Sequence, residues 1–128
     1  MRWFLLITAA TLLLASCSTA DTSNYRSLPP GDASRGVQLF QQSVNGAPPC
    51  ASCHSLDGSV TVGPSLKGIS TRAGTRITGM NTTNYIYQSI TRPAAYIVSG
   101  YNNLMYNQFD QKLTPQQIAD LIAYLLTL

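Results

Sequence analysis

The sequence predicts an all-α fold. Three segments carry helix start and stop signals with apolar side chains at helical spacing, no stretch alternates apolar and polar residues as a half-buried strand would, and there is no internal repeat. The first helix follows Pro29-Pro30-Gly31. Asp32 offers the short acceptor side chain of an N-cap, and Val37, Leu39 and Phe40 supply apolar bulk. From Gly58 to Asn81 the Gly- and Thr-rich sequence reads as loop. The second helix runs from Thr82 or Thr83 to Thr91, with Tyr85, Ile86 and Ile90 at helical spacing, and Pro93 stops it. The third is the best signalled. Thr114 caps it, Pro115 sits where a missing N–H costs nothing, and Gln117 completes a capping box. Ile118, Leu121, Ile122 and Leu125 then follow a period near 3.6.

Residues 1–16 stand apart. Arg2 precedes an apolar run from Trp3 to Ala15 that is too short to span a bilayer, for which about 20 apolar residues are needed, and reads as an export signal. Leu14-Ala15-Ser16-Cys17 resembles the lipobox of bacterial lipoproteins, which implies cleavage after Ser16 and a diacylglyceryl group on Cys17. An ordinary cleaved signal that happens to contain a cysteine, and an uncleaved short anchor, are the other readings of the same residues. Residues 17–30 read as a lipidated N-terminus and a polar tether, Ser18 to Pro30, whose 13 residues have a reach of at most about 45 Å when extended. Residues 31–128 make one domain, small for a self-sufficient core.

Within that domain one run bears most of the chemistry. Cys50-Ala-Ser-Cys53-His54 has the spacing that attaches a c-type haem: two thiols add across the two vinyl groups, and the next residue is delivered to the iron as proximal ligand. A redox dithiol does not need the histidine, and a structural zinc site needs four ligands. His54 is the only histidine and Cys17 the only other cysteine, so zinc would have to borrow distant carboxylates. The three cysteines then divide without remainder, one for lipid and two for haem, leaving none for a disulfide. A buried haem would also add the apolar surface that a small core lacks. The formal charge of +3 comes without clustered lysines and arginines, which excludes a nucleic-acid footprint. Lys67, Arg72, Arg76 and Arg92 lie between the haem motif and Pro93, where they read either as the rim of an exposed haem edge facing an acidic partner or as solvated surface.

From Gly31 to Leu128 the chain resembles a class I cytochrome c, in four pieces that match in order. Gly36 and Phe40 match the glycine and aromatic of the first helix that cross the last helix, where Leu121-Ile122-Ala123-Tyr124 matches the partner. Cys50 to His54 is the second piece. Gly63-Pro64-Ser65-Leu66 matches the turn whose proline carbonyl accepts a hydrogen bond from the proximal imidazole, and the resemblance assigns that role to Pro64. The fourth is the sixth ligand. Met105, after the second helix and before the last, lies where the family places its ligand methionine, whereas Met80 precedes the second helix. In the family that methionine is usually followed by proline, and here Tyr106 stands in its place. The resemblance implies three to five helices around one covalently bound haem, with His54 and Met105 as iron ligands.

The function implied is electron transfer, with no small-molecule substrate and no enzymatic turnover. The donors and acceptors expected are redox proteins: a quinol-oxidising complex, and a terminal oxidase or reaction centre. Signal and haem motif together place the protein outside the cytoplasmic membrane, lipid-anchored on its periplasmic side, or on the outer membrane. Ser89-Ile90 through Pro93, Tyr96-Ile97-Val98 and Gly100-Tyr101 are also similar to cytochrome domains attached to respiratory complexes, which makes a permanent complex subunit the second expectation. A gas-binding or peroxidase-like haem with an open sixth position is the third, hinted at by Tyr106 alone. For the haem propionates, Tyr87, Tyr96, Tyr101 and Arg72 are the candidates.

Overall fold

In the computed structural model the described residues are 25–128; the export signal, the lipidation candidate Cys17 and the start of the tether lie outside them. Helix α1 spans Ala33–Gln41, and Asp32 caps it by accepting from the Ser34 and Arg35 N–H groups at 2.8 and 3.2 Å. Helix α3 spans Thr82–Thr91, one of the two expected starts, with the Asn81 side chain accepting from Asn84 N–H at 2.8 Å. Helix α5 spans Pro115–Leu125 and carries the full capping box: Thr114 Oγ1 accepts from Gln117 N–H, and Gln117 Oε1 accepts from Thr114 N–H.

Two helices were not foreseen. The segment read as loop from Gly58 to Asn81 contains α2, Ile69–Arg72, continued by a 3-10 turn over Ala73–Thr75. A single turn is too short to display a period, but Ile69 and Ala73, four apart, are its two buried side chains. Gly68 enters α2 with φ of 65°, a left-handed conformation suited to glycine. Helix α4, Phe109–Lys112, is the other, and it buries Phe109. Strand-like pairing among the described residues is limited to an isolated bridge between Val44 and Ala47.

The core forms where α1 crosses α5. Gly36 makes the crossing close: a Cβ there would fall on the Asp120 carbonyl and lie 2.6 Å from Tyr124 Cβ. Beside it Phe40 meets Tyr124 edge to face, with ring centroids 5.6 Å apart. Ile86 and Ile90 of α3 and Leu121, Ile122 and Leu125 of α5 complete the buried centre.

Asp120 is 2% exposed on the helix that also buries Leu121 and Ile122, and it is fully engaged. Its carboxylate accepts from Asp32 N–H at 2.7 Å, from Arg35 Nε and Nη2 at 2.7 and 2.8 Å, and from Gln116 Nε2 at 2.9 Å. The Arg35 hydrogen bonds hold this carboxyl below its ordinary value, against the opposing effect of burial. The start of α1 is thereby clamped to α5 by a charged group that has no uncompensated oxygen.

Candidate functional site

Cys50–Ser52 is a 3-10 turn, and its geometry follows from one acceptor: Cys53 N–H and His54 N–H both donate to the Cys50 carbonyl, at 3.1 and 3.0 Å. The chain then leaves and returns. Gly63 N–H donates to Cys53 O at 2.8 Å, Leu66 N–H to Ser55 O at 2.8 Å, and the Thr61 hydroxyl to Cys53 O at 2.5 Å. This return brings Pro64 to His54, whose Nδ1 lies 2.8 Å from the Pro64 carbonyl oxygen. A carbonyl can only accept, so Nδ1 carries the proton and Nε2 is left with its lone pair for a metal. Gly63 packs close to the ring, where a Cβ would come within 2.6 Å of His54 Cε1 and 2.8 Å of Nδ1.

Cys50, Cys53, His54, Pro64 and Met105 all line one cleft of about 1300 Å³, solvent at its mouth included. Buried Phe40, Ile86, Ile90, Leu121 and Leu125 make its interior, so the α1–α3–α5 core and the cleft wall are the same side chains. Val62, Ile97 and Leu104 line it too, and are 43 to 65% exposed. Met80 packs against the core and does not line the cleft. Burial pushes the Cys50 thiol up to about 11, opposite to the lowered value that a redox dithiol uses. Among the described residues no three His, Cys, Asp or Glu side chains gather as a zinc site would require.

Of the four basic residues between the haem motif and Pro93, Arg76 alone lines the cleft. Arg72 instead donates Nη2 hydrogen bonds to the Ser65 and Lys67 carbonyls, at 2.9 and 2.6 Å. Tyr96 and Tyr101 line the cleft, whereas Tyr87 and Arg72 do not. Arg76 was missed as a propionate candidate because the turn after Arg72, which carries it to the cleft, is part of the helical segment read as loop.

The sequence model of the cytochrome c family matches residues 33–128. The chain belongs to the cytochrome c family. It is also similar to a cytochrome c-553-like protein of Synechocystis sp., 36% identical over 98 residues that cover 77% of this chain and 70% of that protein. As a class I mono-haem cytochrome c it binds haem c covalently, transfers electrons and works with redox protein partners. The residues fit that cofactor: two thiols and an imidazole with a free Nε2 stand at one apolar cleft, and Gly63 places no side chain against that imidazole.

Proposed function

We propose that this cytochrome c is a membrane-anchored one-electron carrier, in which His54 and Met105 would hold the haem iron and a lipid on Cys17 would hold the protein at the periplasmic face of the cytoplasmic membrane. The observation that carries the reading is that His54, with Nε2 presented, and Met105 line the same apolar cleft while Met80 does not. The bound haem supplies the one-electron chemistry of its iron. Everything else is the chain's own work. Pro64 O fixes the imidazole ring and raises its basicity through Nδ1–H. As a ligand the Met105 thioether would favour the ferrous state and raise the potential. The apolar wall excludes water and holds the dielectric low, and Arg76 offers a cation to the haem carboxylates. Quinol-oxidising complexes, terminal oxidases and reaction centres are the partners that fit such a carrier.

An optical spectrum of the haem-loaded protein tests the ligand pair. A weak far-red ferric band that disappears in Met105→Ala is the expected result; a high-spin wild-type spectrum without the band overturns it. Retention of the protein in the membrane fraction, lost in Cys17→Ser, tests the anchor.

A further inference from the structure

Tyr106 occupies the position after Met105, and the segment it belongs to is held in an unusual way. Leu104 N–H donates to Asn102 O at 2.9 Å, and the next backbone hydrogen bonds begin with the Gln108 carbonyl, which accepts from Gln111 and Lys112 at the start of α4. Between them Met105, Tyr106 and Asn107 make no close backbone–backbone hydrogen bond among the described residues, and the turn at Asn107 and Gln108 that leads into α4 is their main backbone restraint. A stretch with so few such bonds is positioned chiefly by its side chains, and Met105 itself packs against the core. Leu104 is 65% exposed and Asn107 also faces solvent, so neither supplies an anchor. Tyr106 supplies two. Its half-buried ring meets Phe109 edge to face, with centroids 5.1 Å apart, and its hydroxyl donates to Gln108 Oε1 at 3.0 Å. Phe109 is itself 6% exposed and part of the core, so the contact ties the residue after Met105 to a fixed point.

We propose that Tyr106 is the positioning residue for Met105, restraining through its side chain a loop that has little backbone restraint of its own. The inference rests on the reading of Met105 as an iron ligand. It makes Tyr106 a substitute for a rigid backbone at this place and removes the ground for expecting an open sixth position. The ring contact carries the larger share, since it reaches a buried partner, and the hydroxyl the smaller, since Gln108 is exposed.

Tyr106→Ala, Tyr106→Phe and Gln108→Ala, compared with wild type as haem-loaded proteins, test this through the far-red ferric band and the rate of carbon monoxide binding to the reduced form. Carbon monoxide enters only when the methionine has left, so its rate reports the open fraction. Tyr106→Ala should raise that rate roughly threefold to tenfold and weaken the band. Tyr106→Phe and Gln108→Ala should each raise it by about twofold, and the two together by no more than either alone. If the wild type lacks the band, the ligand reading itself fails. A wild-type band with an unchanged carbon monoxide rate in Tyr106→Ala overturns the role of Tyr106 alone. Tyr106→Phe guards against loss of folding in the alanine variant, because it keeps the ring. Additive effects of Tyr106→Phe and Gln108→Ala would show that their hydrogen bond does not act on Met105.

Discussion

Replacing Gly36 with alanine puts the helix crossing to a direct test, because two effects of opposite sign compete there. In an isolated helix the change would stabilise by about 1 kcal/mol, since glycine is the poorer helix former. In this protein the new Cβ would lie 2.6 Å from Tyr124 Cβ and 2.8 Å from the Asp120 carbonyl carbon. Carbon atoms pack at about 3.5–4.0 Å, so α1 and α5 must part by roughly 1 Å. The parting falls on backbone and on a Cβ, neither of which can rotate away. It also lengthens the Asp120 hydrogen bonds to Asp32 and Arg35, made at 2.7 to 2.8 Å on the same turn of α5. Overpacking costs about 1–3 kcal/mol, and a contact bounded by backbone belongs at the upper end. The net expectation is a loss of about 2 kcal/mol, or a fall in Tm of about 8–16 °C for a domain of this size. Thermal and guanidinium unfolding of the haem-loaded protein would measure it. A variant as stable as the wild type, or more stable, would refute the argument, for helix propensity would then have outweighed the crossing.

Three further outcomes are expected. Asp120→Asn should lower stability at neutral pH. The wild type's advantage should be complete above the ordinary carboxylate value of 3.8 and fade as the pH falls through the lower value the folded protein imposes, as read by urea midpoints across that range; an advantage unchanged at pH 2 would exclude the carboxylate as its source. Gly63→Ala should press on the His54 ring and displace it from Pro64 O, reducing the yield of low-spin holoprotein several-fold, and a wild-type ferric spectrum at full yield would contradict the close approach. Arg76→Gln should lower the reduction potential, since a cation at the cleft favours the less positive ferrous iron, whereas Arg76→Lys should keep most of it; an equal shift in Arg92→Gln, exposed and outside the cleft, would reduce the effect to net charge.

What was legible in the sequence was what local chemistry decides. Asp32, Thr114 and Gln117 announce helix starts because the bonds they make reach only two or three residues. Cys50, Cys53 and His54 announce themselves because one cofactor dictates their spacing. Asp120 gave no such signal: it reads as an ordinary polar position on an amphipathic helix, and its partner Arg35 is 85 residues away. From the sequence Arg72 is the propionate candidate and Arg76 is not, whereas Arg76 lines the cleft; the difference depends on a single helical turn too short to leave a periodic trace. The return of Pro64 to His54 came from resemblance; from the residues alone, Gly63-Pro64 is simply a turn. The Tyr106 contacts were hidden for a different reason, because a substitution next to a key residue shows what has been lost before it shows what replaces it.

The clamp between Asp120 and the start of α1 joins positions 85 and 88 residues apart, and nearly the whole domain is strung between them. Closing a loop of that size costs about 4 kcal/mol in chain entropy beyond the constant initiation cost, and nothing is returned until α5 has been made. Until α5 is in place the start of α1 therefore has nothing to be clamped to, and the two ends of the domain stay apart. Cys50, Cys53 and His54 lie between those ends, on chain that is not yet closed over them. The haem motif is thereby left open until the last helix docks, which makes α5 the latch of the domain.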